Sequence, residues 1–128
     1  DTVGPNSRHV FGAAPELGAW LDAHPRSIDT VICENDLEAA RVIGELAARG
    51  LKTPDDVLVV GCDANCKLAG MWSVKLDTNQ IADRAVAILK RLLDGDDVRD
   101  NPEYMPELLD EFDQPIPISR PAPALKTS

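Results

Sequence analysis

Apolar residues recur along the chain with two periods, and the period changes wherever proline, glycine or a polar cluster intervenes. Between Pro15 and Pro25, Leu17, Trp20 and Leu21 fall three to four positions apart, which predicts a short amphipathic helix bounded by the two prolines. Ile28 to Cys33 is β-branched and mostly apolar, so it reads as a strand. The polar Glu34-Asn35-Asp36 follows, and then Ala39, Ala40, Val42, Ile43, Leu46 and Ala47 form a wide helical stripe. Gly50 stands where a left-handed C-cap is expected. Val57 to Val60 is an unbroken apolar run flanked by helices, the habit of a parallel strand covered on both faces. After Gly61-Cys62-Asp63 come a polar loop, a helical turn around Cys66 to Met71, and a short strand from Ser73 to Leu76. Asp77-Thr78-Asn79-Gln80 can cap a helix whose stripe is Ile81, Ala82, Ala85, Val86, Leu89, Leu92 and Leu93, ended by Gly95. Ile116 to Ser119 reads as an edge strand, because Pro117 bars a central position.

The order helix, strand, helix, strand, strand, helix, strand describes an α/β fold with an open, mainly parallel sheet flanked by helices. At 128 residues the chain is one lobe with a single core. Residues 1–14 read as a connector, 94–113 as an acidic connection and 121–128 as a loose tail. The opening Asp1-Thr2 has no initiator methionine before it, as expected of a piece of a longer chain.

Charge changes this picture locally. Nine acids and one base, Arg99, lie between Asp94 and Asp113, so this stretch carries nearly all of the net −9. It reads as a solvated, solubilising segment; Asp94-Gly95-Asp96-Asp97 lacks EF-hand ligand spacing. No basic stripe exists to replace phosphate counterions, so the chain itself is not expected to bind nucleic acid. No apolar run approaches membrane-span length, and no signal-peptide pattern opens the chain. Three cysteines, Cys33, Cys62 and Cys66, fit reduced, buried or half-buried thiols in the cytoplasm better than a disulfide framework. Cys62-x-x-x-Cys66 without a nearby histidine is not a zinc site, and no metal or cofactor is expected.

Catalysis has little support. His9 and His24 are the only histidines, neither has a nucleophile partner, and no glycine-rich phosphate cradle is present. Ligand binding has more. In open α/β sheets, ligands sit at the carboxyl ends of strands. Glu34-Asn35-Asp36 and Asp63-Ala64-Asn65 close two successive strands, and an amide beside a carboxylate can engage several hydroxyls of a polyol. The same residues have a purely structural explanation, since Asn35 and Asp36 suit helix capping and Asp63 and Asn65 suit turns. Trp72 can stack on a sugar face or simply pack.

Two motifs narrow the choice. Asp29-Thr-Val-Ile-Cys-Glu-Asn35-Asp36-Leu-Glu-Ala39, followed by Gly50-Leu-Lys-Thr-Pro54-Asp55-Asp56-Val-Leu-Val-Val-Gly61-Cys-Asp63, resembles the C-terminal sensor subdomain of lactose-repressor-type (LacI/GalR) transcription regulators. Ser73 to Leu93, before Asp94-Gly95, is similar to that family's last long helix, and Ile116 to Arg120 to its closing strand. The resemblance covers about residues 28 to 120. It implies one lobe of a two-lobed, type I periplasmic-binding-protein-like fold that closes on a sugar or related small effector. It also implies effector contacts at Asn35 and Asp63, an aromatic contact at His9 or Phe11, and a homodimer interface near the helix after Asn35 and the loop after Asp63. DNA contact would lie in an N-terminal domain absent from this sequence. Cys62 departs from the family's usual aromatic, and the loop Ala64 to Trp72 matches no familiar version, which leaves the effector open. The reading is therefore the effector-binding part of a transcription regulator, with no enzymatic activity. A solute-binding protein of a sugar importer is the alternative, and a small α/β enzyme a more distant third.

Overall fold

The structure, a computed structural model, describes residues 8–99 and 104–117. Eight elements follow one another: α1 (Ala14–Ala23), β1 (Thr30–Ile32), α2 (Asp36–Ala47), β2 (Leu58–Cys62), β3 (Trp72–Lys75), α3 (Thr78–Leu93), β4 (Glu107–Leu109) and β5 (Pro115–Ile116). The five strands form one sheet in the order β1-β2-β3-β4-β5. β1, β2 and β3 are parallel, and β4 and β5 add antiparallel strands at one edge. The sheet is thus mainly parallel at its head and mixed overall.

Local chemistry accounts for the element ends. Pro15 occupies the first turn of α1, where its missing N–H costs nothing. Asn35 caps α2 by accepting from the Glu38 N–H at 2.8 Å, and Asp77 caps α3 through the Gln80 N–H at 2.9 Å. Gly50 follows α2 with φ 72°, in the left-handed region its lack of Cβ permits.

The core lies between the α1–α2 layer and one face of the sheet. Leu17 and Leu21 of α1, Ala39, Val42 and Leu46 of α2, and Val57, Val59 and Met71 beneath them are all buried. Arg49 ties the two helices together, with Nε 2.8 Å from Asp22 Oδ1 and Nη1 2.7 Å from Glu45 Oε2.

Several expectations need correction or refinement. The acidic stretch 94–113 is more than a connection, because Glu107–Leu109 forms β4 and buries Leu109 against β3. Asp110 then builds the β4–β5 turn, accepting from the N–H groups of Phe112 and Gln114 at 2.8 and 2.9 Å. Ala14, assigned to the connector, opens α1. No helical turn forms between Cys66 and Met71; the β2–β3 connection is a series of bends with a turn at residues 69–70. The α3 stripe is periodic as expected yet has no buried member, with Leu89 55% and Leu93 79% exposed, because no other described element packs closely on it. β5 starts at Pro115; the remainder of the expected edge strand, Ile118 to Ser119, and the tail 121–128 lie outside the described residues.

Candidate functional site

Parallel pairing decides which loops share an edge. Thr30, Val31 and Ile32 pair with Leu58, Val59 and Val60 in order. Asn35 and Asp63 each lie three residues beyond the last pair, Ile32 and Val60, so they leave adjacent strands at the same height. Neighbouring strands run about 4.8 Å apart, which brings the two loops together at the carboxyl edge.

The two residues are held differently. Asn35 is half-buried, and its Oδ1 is committed to capping α2, which leaves the side-chain amide as the available donor. Asp63 is exposed, with its backbone turned into the left-handed region at φ 90° and its N–H bonded to the Val74 carbonyl at 2.8 Å. The pair presents an amide donor and a carboxylate acceptor, a combination that can grip vicinal hydroxyls. Cys62 lies beside them with its thiol pushed up by burial and by the adjacent Asp63 carboxylate, against an opposing backbone hydrogen bond from Asp63.

Asp36, weighed from sequence only as a possible cap, is the residue beneath the site. It is 0% exposed. Its Oδ1 accepts from Ser73 Oγ at 2.5 Å, and its Oδ2 accepts from the Cys66 N–H at 3.1 Å. Ser73 Oγ accepts in turn from the Ala64 N–H at 3.1 Å. Gly61 makes room for this carboxylate: a Cβ there would stand 2.4 Å from Asp36 Oδ1. One sequence signal was available, because Asn35 and Asp36 are both cap types and a helix takes one cap.

His9 and Phe11 belong to a second group. Both pack around Trp20 of α1, with ring centroids 4.7 and 5.6 Å away, and His24 stacks on the indole at 4.5 Å. They line an open cavity of about 1040 Å³ between residues 8–14 and 26–34, which runs along β1 to Glu34 and Glu38. Neither Asn35 nor Asp63 lines it. Trp72 is occupied as well, its Nε1 donating to Glu111 Oε2 at 2.6 Å. Of the three free thiols, Cys33 and Cys62 are half-buried, whereas Cys66 is exposed rather than buried as expected. Burial, reinforced by Glu38 and then Glu34, pushes the Cys33 thiol up to about 11. No described helix is long and apolar enough to cross a membrane, and no described group of three or more His, Cys, Asp or Glu side chains is arranged to hold a metal.

Known proteins place this geometry in context. Residues 2–110 match the model of the periplasmic binding protein-like domain family. A comparison with curated protein sequences finds no match. Among solved structures, a LacI family transcriptional regulator from Arthrobacter sp. FB24, crystallised with lactose, is 30% identical with a TM-score of 0.54, covering 64% of this chain and 31% of its own. A LacI-family transcriptional regulatory protein from Corynebacterium glutamicum is 25% identical with a TM-score of 0.53, covering 76% and 39%. The Lac repressor bound to ONPG shares the fold, with a TM-score of 0.62 at 19% identity over 80% of this chain and 33% of its own. The chain thus spans about a third of the length of these structures. The solved structures it resembles are LacI-family transcriptional regulators, and with its family-model match over nearly the whole described sheet the chain belongs to the periplasmic binding protein-like domain family.

Proposed function

We propose that the chain supplies one wall of the effector cleft of a LacI-type transcription regulator, and that Asn35 and Asp63 contact hydroxyls of a sugar or related polyol. The observation that supports this reading is the register of β1 and β2, whose last pair, Ile32 and Val60, stands three residues before both Asn35 and Asp63. The lactose complex of the Arthrobacter relative supports a saccharide as ligand class. Binding, not chemistry, is the activity: the edge offers polar contacts without a nucleophile–base pair. A second lobe, outside these 128 residues, closes on the effector, and closure shifts a homodimer between DNA-binding arrangements through a further domain. A regulator of this kind works in the cytoplasm. The importer alternative has less support, because the solved structures that resemble the chain at 25–30% identity are regulators.

The test is a thermal-shift screen of sugars and nucleobases on the two-lobed protein, comparing wild type with Asp63→Ala. The best ligand should stabilise wild type and lose most of that effect in the variant. Full retention by Asp63→Ala would overturn the assignment.

A further inference from the structure

The connection from β2 to β3 is residues 63–71 without a helix, short for a parallel crossover, which ordinarily takes a dozen or more residues. It opens with two consecutive non-glycine residues in the left-handed region, Asp63 at φ 90° and Ala64 at φ 52°. Such backbone persists only where surrounding contacts over-determine it. Here the Asp63 N–H is held by the Val74 carbonyl and Lys67 reaches Asp113 Oδ1 at 2.6 Å, while the contacts of Ala64 and Cys66 converge on one side chain. Asp36 takes the Cys66 N–H directly and the Ala64 N–H through the Ser73 hydroxyl.

Helix capping does not explain Asp36, because Asn35 already caps α2. Nor does an ion pair, since no cationic side chain among the described residues bridges to it. A buried carboxylate without a cation is costly unless its lone pairs are filled by hydrogen bonds. The bonds that fill them come from β3 and from the loop bearing Asp63, and Asp36 is covalently next to Asn35. One rigid group therefore spans the two candidate contact residues.

We propose that Asp36 is a positioning residue that sets the placement of the Asp63 loop relative to Asn35. The ligand consequence rests on the effector reading above, but the placement itself does not. The test uses the 128-residue chain and amide hydrogen exchange by NMR on wild type, Asp36→Asn and Ser73→Ala. In Asp36→Asn the amides of Ala64 and Cys66 should exchange at least tenfold faster, while those of Leu46 and Val59 stay within threefold. Ser73→Ala should release Ala64 and spare Cys66. Unchanged loop amides, or a uniform rise at loop and core alike, would overturn the proposal, and the serine variant keeps the question decidable should Asp36→Asn fold poorly. A parallel titration of the two-lobed protein with lactose reads the Asn35 side-chain amide signal. Silence there counts against lactose as effector and leaves the exchange result to decide Asp36.

Discussion

Gly61→Ala is the sharpest perturbation of this arrangement. A Cβ at Gly61 would lie 2.4 Å from Asp36 Oδ1, 3.1 Å from Asp36 Cα and 3.3 Å from Ala39 Cβ. The carboxylate would have to retreat by about 1 Å to reach van der Waals separation, while the backbone atom cannot move without shifting α2. That retreat strains the bonds to Ser73 and Cys66, and hydrogen bonds to a charged group contribute about 1.5–3 kcal/mol each. Overpacking adds about 1–3 kcal/mol, and the lost glycine entropy returns only about 0.5–1 kcal/mol. The expected net destabilisation is about 2–4 kcal/mol, partial loss of the two bonds being enough. Gly44 in α2 provides the internal control, because nothing lies within 4 Å of a Cβ there. Gly44→Ala should stabilise by about 1 kcal/mol through helix propensity alone. Urea unfolding followed by circular dichroism at a shared m-value measures both. The reasoning is refuted if Gly61→Ala unfolds at the wild-type midpoint or above while Gly44→Ala behaves as expected.

Capping and binding at Asn35 can be separated. Asn35→Ala should cost about 1 kcal/mol with no ligand present, whereas Asn35→Asp should keep the cap and the midpoint, since aspartate caps as well and suits a helix N-terminus. Equal losses in both variants would show that the amide has a structural partner. Cys33 has a folded pKa of about 11, above its ordinary 9.0. The folded state therefore keeps a proton that the unfolded state releases, and this contribution is complete below pH 9 and lost as pH rises toward 11. Stability of wild type should fall across that window more steeply than that of Cys33→Ala; parallel pH profiles would rule the effect out. Ile32, on the β1 edge that no other described strand covers, is 80% exposed. Ile32→Lys should leave the thermal midpoint within the roughly 0.5 kcal/mol typical of surface changes and reduce light scattering on concentration, and undiminished scattering would count against β1 as a sticky edge.

The parts of the fold that sequence revealed are those written in local periodicity and punctuation. β1, α2 and β2 follow from an apolar run, a 3.6-residue stripe and another run, separated by a cap and a glycine. The parts it concealed depend on partners far along the chain. β4 carries one buried residue, Leu109, between acids that dominate the composition, and only pairing with β3 reveals it. The α3 stripe was plain, but a period reports which face is apolar and not whether anything covers it. In the site, Asn35 and Asp63 stood out because they end strands. Asp36 did not, because its role depends on Ser73, 37 positions away, and on Cys66, 30 positions away. His24, which sequence showed only to lack a nucleophile partner, serves the end of α1: its Nδ1 lies 3.0 Å from the Trp20 carbonyl and its ring stacks on that indole.

A cleft wall differs from a binding site in what it can hold alone. The rim of β1 and β2 offers one amide donor and one carboxylate. A neutral hydrogen bond contributes about 0.5–1.5 kcal/mol net and one to a charged group about 1.5–3 kcal/mol. Their sum is at most about 4–5 kcal/mol, and association costs at least about 4 kcal/mol in lost translational and rotational freedom. What is left, at most about 1 kcal/mol, gives a dissociation constant of about 0.2 M or weaker, and the exposed Asp63 must still give up water to reach it. Isothermal titration of the 128-residue chain with lactose should therefore show no saturable heat below millimolar sugar. A micromolar constant would mean that this lobe closes a site by itself, through contacts other than Asn35 and Asp63, with the long cavity beside β1 as the place to look. Weak binding here, together with strong Asp63-dependent binding when a second wall is present, is the pattern a half-cleft requires.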